Sequence, residues 1–153
     1  MNHSDTCTEL RRYVQRQLVA LEEEKHSLLD AIFPAFGDNR TQAEQVIKRY
    51  CSCIRELLNL ENDQLCKVVL IGSQVTITYL EDHDRDSFTI VYPQQAEPNE
   101  NQISFLSPMG RQLLAATIGS VLAIDTPAGT IDIRIDKISL AIEDIEGESQ
   151  HER

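Results

Sequence analysis

At 153 residues the chain has room for one ordinary domain, or one small domain with a simple appendage, but not for two full hydrophobic cores. Its formal net charge of −11 removes the basic footprint that draws proteins onto nucleic-acid phosphates, so direct, sequence-specific binding to free DNA or RNA is not expected. No segment approaches the roughly 20 consecutive apolar residues of a membrane span, and the start, MNHSDTCTEL, lacks a basic region followed by an apolar run, so a cytoplasmic protein with no membrane contact is expected.

The first predicted element is a helix from about residue 8 to 33, in which Leu10, Val14, Leu18, Leu21, Leu28 and Ile32 recur at spacings of three, four and seven. Lys25 interrupts the stripe, Thr6 or Thr8 is a candidate cap, and Pro34 and Gly37 end the pattern. A second helix is predicted from about residue 41 to 62, with Val46, Tyr50, Cys53, Leu57 and Leu60 in a coiled-coil rhythm. Each stripe is too narrow to form a core alone. The two helices can close on each other as an antiparallel hairpin, whose first arm would be roughly 37 Å long, or pack flat on a following sheet; the residues alone fit both arrangements equally.

Cys7, Cys51, Cys53 and Cys66 fall in this part, and without a leader segment they read as reduced thiols. Cys51 and Cys53 lack the C-x₂-C zinc spacing and would point about 200° apart on a helix, so no metal site is expected there.

After Asn62 and Asp63 the character changes. Stretches 67–71, 74–80 and 87–92 are rich in Val, Ile, Thr and Tyr and read as strands, broken at Gly72 and at the polar run 81–86. That run has neither a placed glycine nor a terminal bidentate glutamate, so it is a solvated hairpin and not a calcium loop. A polar loop (93–102), a short strand (103–106) and a short helix (108–116) follow, with Ser107 as N-cap and Pro108 in the first turn. Stretches 121–125 and 130–138 alternate, the latter with Ile131, Ile133, Ile135 and Lys137 on one face and Asp132, Arg134 and Asp136 on the other. The expected division is a helical hairpin over 1–65, a sheet domain over 66–142 and a flexible, charged tail over 143–153. Acid is concentrated late: up to Leu65 there are 11 acidic against 8 basic residues, net −3, and from Cys66 onward 14 against 6, net −8.

Three pieces in a fixed order carry a resemblance: Val69-Leu70-Ile71-Gly72-Ser73-Gln74-Val75, Ser107-Pro108-Met109-Gly110-Arg111, and Thr126-Pro127-Ala128-Gly129. Together they resemble the C-terminal domain of bacterial Gre-type transcription elongation factors (GreA and GreB). Val91-Tyr92-Pro93 and the shorter second helix look like the Rnk branch of that superfamily, named for regulators of nucleoside diphosphate kinase. The resemblance implies an α+β protein: an N-terminal antiparallel helical hairpin, or coiled coil, and a C-terminal FKBP-like antiparallel β-sheet domain with one short helix. It also implies docking on bacterial RNA polymerase at the secondary channel, through the positions occupied here by Leu106, Ser107 and Pro108.

Gre cleavage factors carry an acidic hairpin tip, G-D-x-x-E-N-A-E, thought to hold a metal ion and water in the polymerase centre. Gly37-Asp38-Asn39-Arg40-Thr41-Gln42-Ala43-Glu44 aligns on it without a gap, with Thr41 in place of the second acid and Arg40 adding a positive charge. Magnesium needs only one or two protein carboxylates when phosphates supply the rest, so Asp38 is the one weak catalytic candidate, with a magnesium ion shared with polymerase. Against that, Asp38 or Asn39 reads as the cap of the second helix. Phe33 and Phe36 read as closing the end of the hairpin, with an apolar knob as the competing reading.

The resemblance therefore implies a transcription regulator that is not an enzyme, needs no cofactor of its own, and stimulates cleavage weakly if at all; the alternative is a cleavage factor using Phe36, Asp38, Thr41 and Glu44 at its tip. The FKBP-like topology alone suggests a prolyl isomerase, but 5% aromatic residues and no Trp argue against an aromatic-lined proline pocket.

Overall fold

The computed structural model describes residues 3–34, 37–60 and 65–140, and the chain divides into two compact units, Met1–Leu65 and Cys66–Arg153. Phe36 and the tail 143–153 lie outside the described residues.

Unit 1 is built on α1 (His3–Ile32) and α2 (Asp38–Leu57). Their contacts run in opposite directions: Arg11 reaches Leu58 and Leu60, Gln17 meets Tyr50, Lys25 faces Glu44, and Asp30 pairs with Arg40. As residue numbers rise on one helix they fall on the other, which is an antiparallel hairpin. Leu10, Val14, Leu21 and Leu29 of α1 bury against a stripe of Ala43, Val46, Ile47, Tyr50, Cys51 and Ile54 on α2. The α2 stripe is rotated from the expected one, because Cys53 and Leu57 are only half-buried and Leu60 lies beyond the helix, 52% exposed.

Two helix ends depart from expectation. Helix α1 begins at His3, so Thr6 and Thr8 lie inside it instead of capping it. Helix α2 stops at Leu57, before the expected residue 62, because Arg11 of α1 meets the chain there. Its guanidinium donates to Leu58 O at 2.5 Å and Leu60 O at 2.6 Å, satisfying carbonyls that a helix end leaves orphaned. The core also holds a polar layer. Buried Gln17 donates to Tyr13 Oη at 3.1 Å and accepts from the hydroxyl of buried Tyr50. Burial pushes the Tyr13 phenol up to about 12.

Unit 2 is one five-stranded sheet in the order β3-β2-β1-β5-β4, from β1 (Ser73–Tyr79), β2 (Arg85–Val91), β3 (Gln102–Ser104), β4 (Val121–Thr126) and β5 (Gly129–Leu140). The short helix α3 (Pro108–Leu113) lies between β3 and β4 in sequence. The sheet is antiparallel except for β2 and β3, which pair in parallel. The connection between them, which includes the short 3-10 helices Pro93–Gln95 and Pro98–Glu100, is long enough to return the chain to the end where β2 began, as a parallel pair demands. Val75, Ile77, Ile90, Ile124, Ile133 and Ile135 bury one face.

Stretch 67–71 is not the expected strand: it makes a single bridge, Val68 to Thr117, while Val68 to Ile71 fill the core. Lys137 is exposed and not on the buried face, because a bulge shifts the β1–β5 register between Thr76↔Lys137 and Ile77↔Ile135. Asp136 is the extra residue, and beyond it Ile138 and Leu140 take over the inward phase. The bulge is fastened by its own side chain: Asp136 accepts from Thr78 Oγ1 and from Arg134 Nε at 2.7 Å, with Arg85 Nε at 3.7 Å. The hydrogen bond from Thr78, then that from Arg134, holds the Asp136 carboxyl below the usual carboxylate range.

Candidate functional site

The Ser-Pro turn hangs from one anchor. Phe105 is fully buried, its ring meets Tyr92 edge-to-face at 5.7 Å, and its N–H donates to Val91 O at 2.9 Å. Immediately after it the chain closes on Ser104. The Ser104 carbonyl accepts from Ser107 N at 3.0 Å and Ser107 Oγ at 2.7 Å, while Ser104 Oγ accepts from Leu106 N at 2.9 Å. Ser107 is the N-cap of α3, accepting from Gly110 N at 3.0 Å, and Pro108 occupies the first turn, where its missing N–H costs nothing.

Glycine is required at 110. A Cβ there would lie 2.0 Å from Ser104 O and 2.9 Å from Ser107 Oγ. Gln112 adds a further tie, donating through Nε2 to Pro108 O at 2.7 Å and Asp125 O at 3.0 Å, and accepting from Asp125 N at 2.9 Å.

The consequence is a turn whose polar groups are mostly satisfied internally. Ser107 spends its hydroxyl proton on Ser104, so it offers a partner shape more than a donor. Leu106 is half-exposed and Pro108 exposed, and together they present a small apolar surface on a rigid base. Sequence reasoning named these three residues from the resemblance but gave Ser104, Gly110 and Gln112 no role in supporting them; a glycine inside the first turn of so short a helix was the available signal.

At the hairpin tip, Asp38 opens α2 as an exposed acid in its first turn, where the helix dipole favours it. It does not cap the helix, and neither does Asn39: the N-cap is Gly37, with no side-chain cap, and Thr41 N donates to Gly37 O at 3.0 Å. Arg40 is 8% exposed and turns inward, donating to Phe33 O at 2.7 Å and Asp30 Oδ1 at 2.8 Å. Phe33 is half-buried there. Glu44 faces Lys25 Nζ at 3.8 Å and Thr41 is exposed and uncharged. Six residues separate Asp38 from Glu44, placing them about 120° apart around the helix. Of the acid positions in the tip pattern, Asp38 alone is exposed without an ion pair among the described residues, and this donor set does not fit a protein-held magnesium ion.

Among the described residues no helix is long and apolar enough to cross a membrane. Of the cysteines, Cys51 is buried in the hairpin and burial raises its thiol pKa, whereas Cys66 is exposed.

A family model described as transcription elongation factor, GreA/GreB, C-term, matches residues 63–140, half of the chain. The chain is similar to transcription elongation factor GreA of Oceanobacillus iheyensis, 36% identical over 107 residues covering 69% of this chain and 68% of that protein. It is also similar to GreA of Bacillus subtilis, 37% identical over 86 residues covering 56% of this chain and 55% of that protein. Among solved structures, the prokaryotic transcription elongation factor GreA/GreB from Nitrosomonas europaea shares the fold with a TM-score of 0.52 at 21% identity, covering 82% of this chain and 93% of that one.

Proposed function

The chain belongs to the GreA/GreB transcription elongation factor family, and from that premise we propose that it docks on bacterial RNA polymerase at the secondary channel and regulates transcription without strong stimulation of RNA cleavage. The observation that carries the reading is the Ser-Pro turn, where Leu106 and Pro108 stand on a base fixed by Phe105, Ser104, Ser107 and Gly110. An apolar surface on a preorganised turn loses little entropy on docking.

The tip supports the second half. Arg40 and Glu44 are engaged in ion pairs within the hairpin, and Thr41 supplies no charge, so Asp38 would act alone. Any magnesium ion used there would belong to polymerase. The protein is then a binding factor of the cytoplasm and not itself an enzyme. Val91-Tyr92-Pro93, together with an α2 of 20 residues against 30 for α1, favours the Rnk-type branch.

The test is co-purification with polymerase. Binding at micromolar protein, lost on changing Ser107 and Pro108 with the fold intact, is expected; no binding by the unaltered chain refutes the reading. Stalled elongation complexes address the cleavage alternative. Transcript shortening abolished by Asp38→Ala would establish a cleavage factor, and no shortening is expected.

A further inference from the structure

Strand β4 is one edge of the sheet, and its outer side is closed over only half its length. The turn Pro127-Ala128 joins the paired residues Thr126 and Gly129, so Leu122, Ile124 and Thr126 direct their backbone groups to β5. Val121, Ala123 and Asp125 direct theirs outward, by the period of two along a strand. At Asp125 those outward groups are taken: the Gln112 amide bonds both its N–H and its C=O, at 2.9 and 3.0 Å, as a neighbouring strand would. At Val121 and Ala123 no described residue does so.

The side chains beside this open half are chemically specific. Val121 is 58% exposed and Ile118, three residues earlier, 40% exposed. Ala123 is exposed and small, and Asp132 lies across from it on β5. The Asp132 carboxylate is exposed and has no hydrogen bond or ion pair among the described residues.

We propose that this open half of β4 takes an extended segment of a partner protein as a sixth strand, with an apolar residue opposite Val121 and a lysine or arginine opposite Ala123. Backbone pairing to Val121 and Ala123 would satisfy the outward N–H and C=O groups of both. An incoming residue opposite Ala123 lies two strand spacings, about 10 Å, from Asp132. A lysine and an aspartate side chain close that distance between them, and the alanine methyl is too short to intervene. The basic residue follows from charge: Cys66 onward carries a net −8, and a second copy of a chain of net −11 is a poor occupant of the same edge. Gln112 limits the register, since a partner strand cannot extend past Ala123 without displacing it. The inference does not use the Ser-Pro turn and stands whether or not the chain binds polymerase.

The experiment uses the full chain, isotope-labelled for NMR, and the peptide acetyl-Thr-Lys-Thr-Val-Thr-amide, which in antiparallel pairing sets Lys opposite Ala123 and Val opposite Val121. Shift changes and slowed amide exchange centred on Val121 and Ala123, saturating at millimolar peptide, are expected. Asp132→Asn should weaken binding roughly two- to five-fold, the range of an exposed ion pair. Ala123→Pro, which removes an outward N–H without touching a bond to β5, should abolish it. The proposal is overturned by no change at these amides at millimolar peptide. It is equally overturned if the peptide with Glu in place of Lys binds as well, or if the protein alone sediments as a dimer that Asp132→Asn leaves intact and Ala123→Pro dissolves.

Discussion

Replacing Gly110 by alanine tests the account of the docking turn at its tightest point. The new Cβ would stand 2.0 Å from Ser104 O, where carbon and oxygen need more than about 3 Å, so the Ser104 carbonyl must retreat by about 1 Å or more. That carbonyl accepts two hydrogen bonds, from Ser107 N at 3.0 Å and Ser107 Oγ at 2.7 Å, and the same hydroxyl caps Gly110 N at 3.0 Å. Overpacking costs about 1–3 kcal/mol and a lost cap about 1 kcal/mol. Alanine regains just under 1 kcal/mol of helix propensity over glycine. The balance is a destabilisation of about 1–3 kcal/mol, which lowers the melting temperature of a unit this size by roughly 5–20 °C. Thermal and urea unfolding of the full chain, followed by near-ultraviolet signals of Tyr92 and Tyr79, would read it. Polymerase binding should weaken even at temperatures where the variant stays folded, because Leu106 and Pro108 lose their base. A change under about 0.5 kcal/mol, the ordinary range for unimportant surface changes, would refute the requirement for glycine.

Three further outcomes are expected. Ala115 sits at φ 70, directly after the α3 C-cap, so Ala115→Gly should raise stability by about 0.5–1 kcal/mol in thermal unfolding, relief of left-handed strain outweighing the added chain entropy. The Asp136 carboxyl is held below its unfolded pKa by Thr78 and then Arg134, so its stabilisation is complete above about pH 4 and is lost as pH falls through the lowered folded value. Asp136→Asn should therefore lower stability at neutral pH and flatten the acid limb of the unfolding profile. Arg11→Ala removes the donors to Leu58 O and Leu60 O; a loss of about 1–2 kcal/mol, with faster amide exchange confined to the end of α2, is expected on urea titration and hydrogen exchange.

The parts of this fold that local periodicity controls were readable. The hairpin helices, the strands around Val75 and Ile133, and the Ser107 cap follow from spacing and turn chemistry alone. What escaped depended on partners distant in sequence. Helix α2 ends where Arg11, 47 residues earlier, supplies a cap that no pattern near residue 57 announces. The α2 stripe keeps Val46 and Tyr50, the latter bonded to Gln17 of α1, but turns to bury Ile47, Cys51 and Ile54 in place of Cys53 and Leu57. In β5 the phase change was visible as the adjacent polar pair Asp136-Lys137 followed by Ile138 and Leu140. Strict alternation treated that pair as one inward and one outward residue, whereas a bulge gives up one of them. The support of the Ser-Pro turn was hidden for a similar reason, since every contact by which Ser104, Gly110 and Gln112 hold it involves a backbone atom that no side-chain pattern displays.

The turn and the tip differ in what their exposed residues are free to become. Leu106 and Pro108 present surface while Phe105, Ser104 and Gly110 hold the fold, so the proposed docking face can change without loss of structure. The tip has no such separation. Arg40, which stands inside the segment aligned with the acidic pattern, spends its guanidinium on Phe33 O and Asp30 and is 8% exposed. An acid placed at 40 would leave the Phe33 carbonyl without its donor and set a buried carboxylate beside Asp30, a combination that costs several kcal/mol. Glu44 is similarly committed to Lys25. An acidic tip is therefore reachable in this hairpin only through exposed positions such as Thr41, and the present arrangement gives hairpin closure precedence over negative charge.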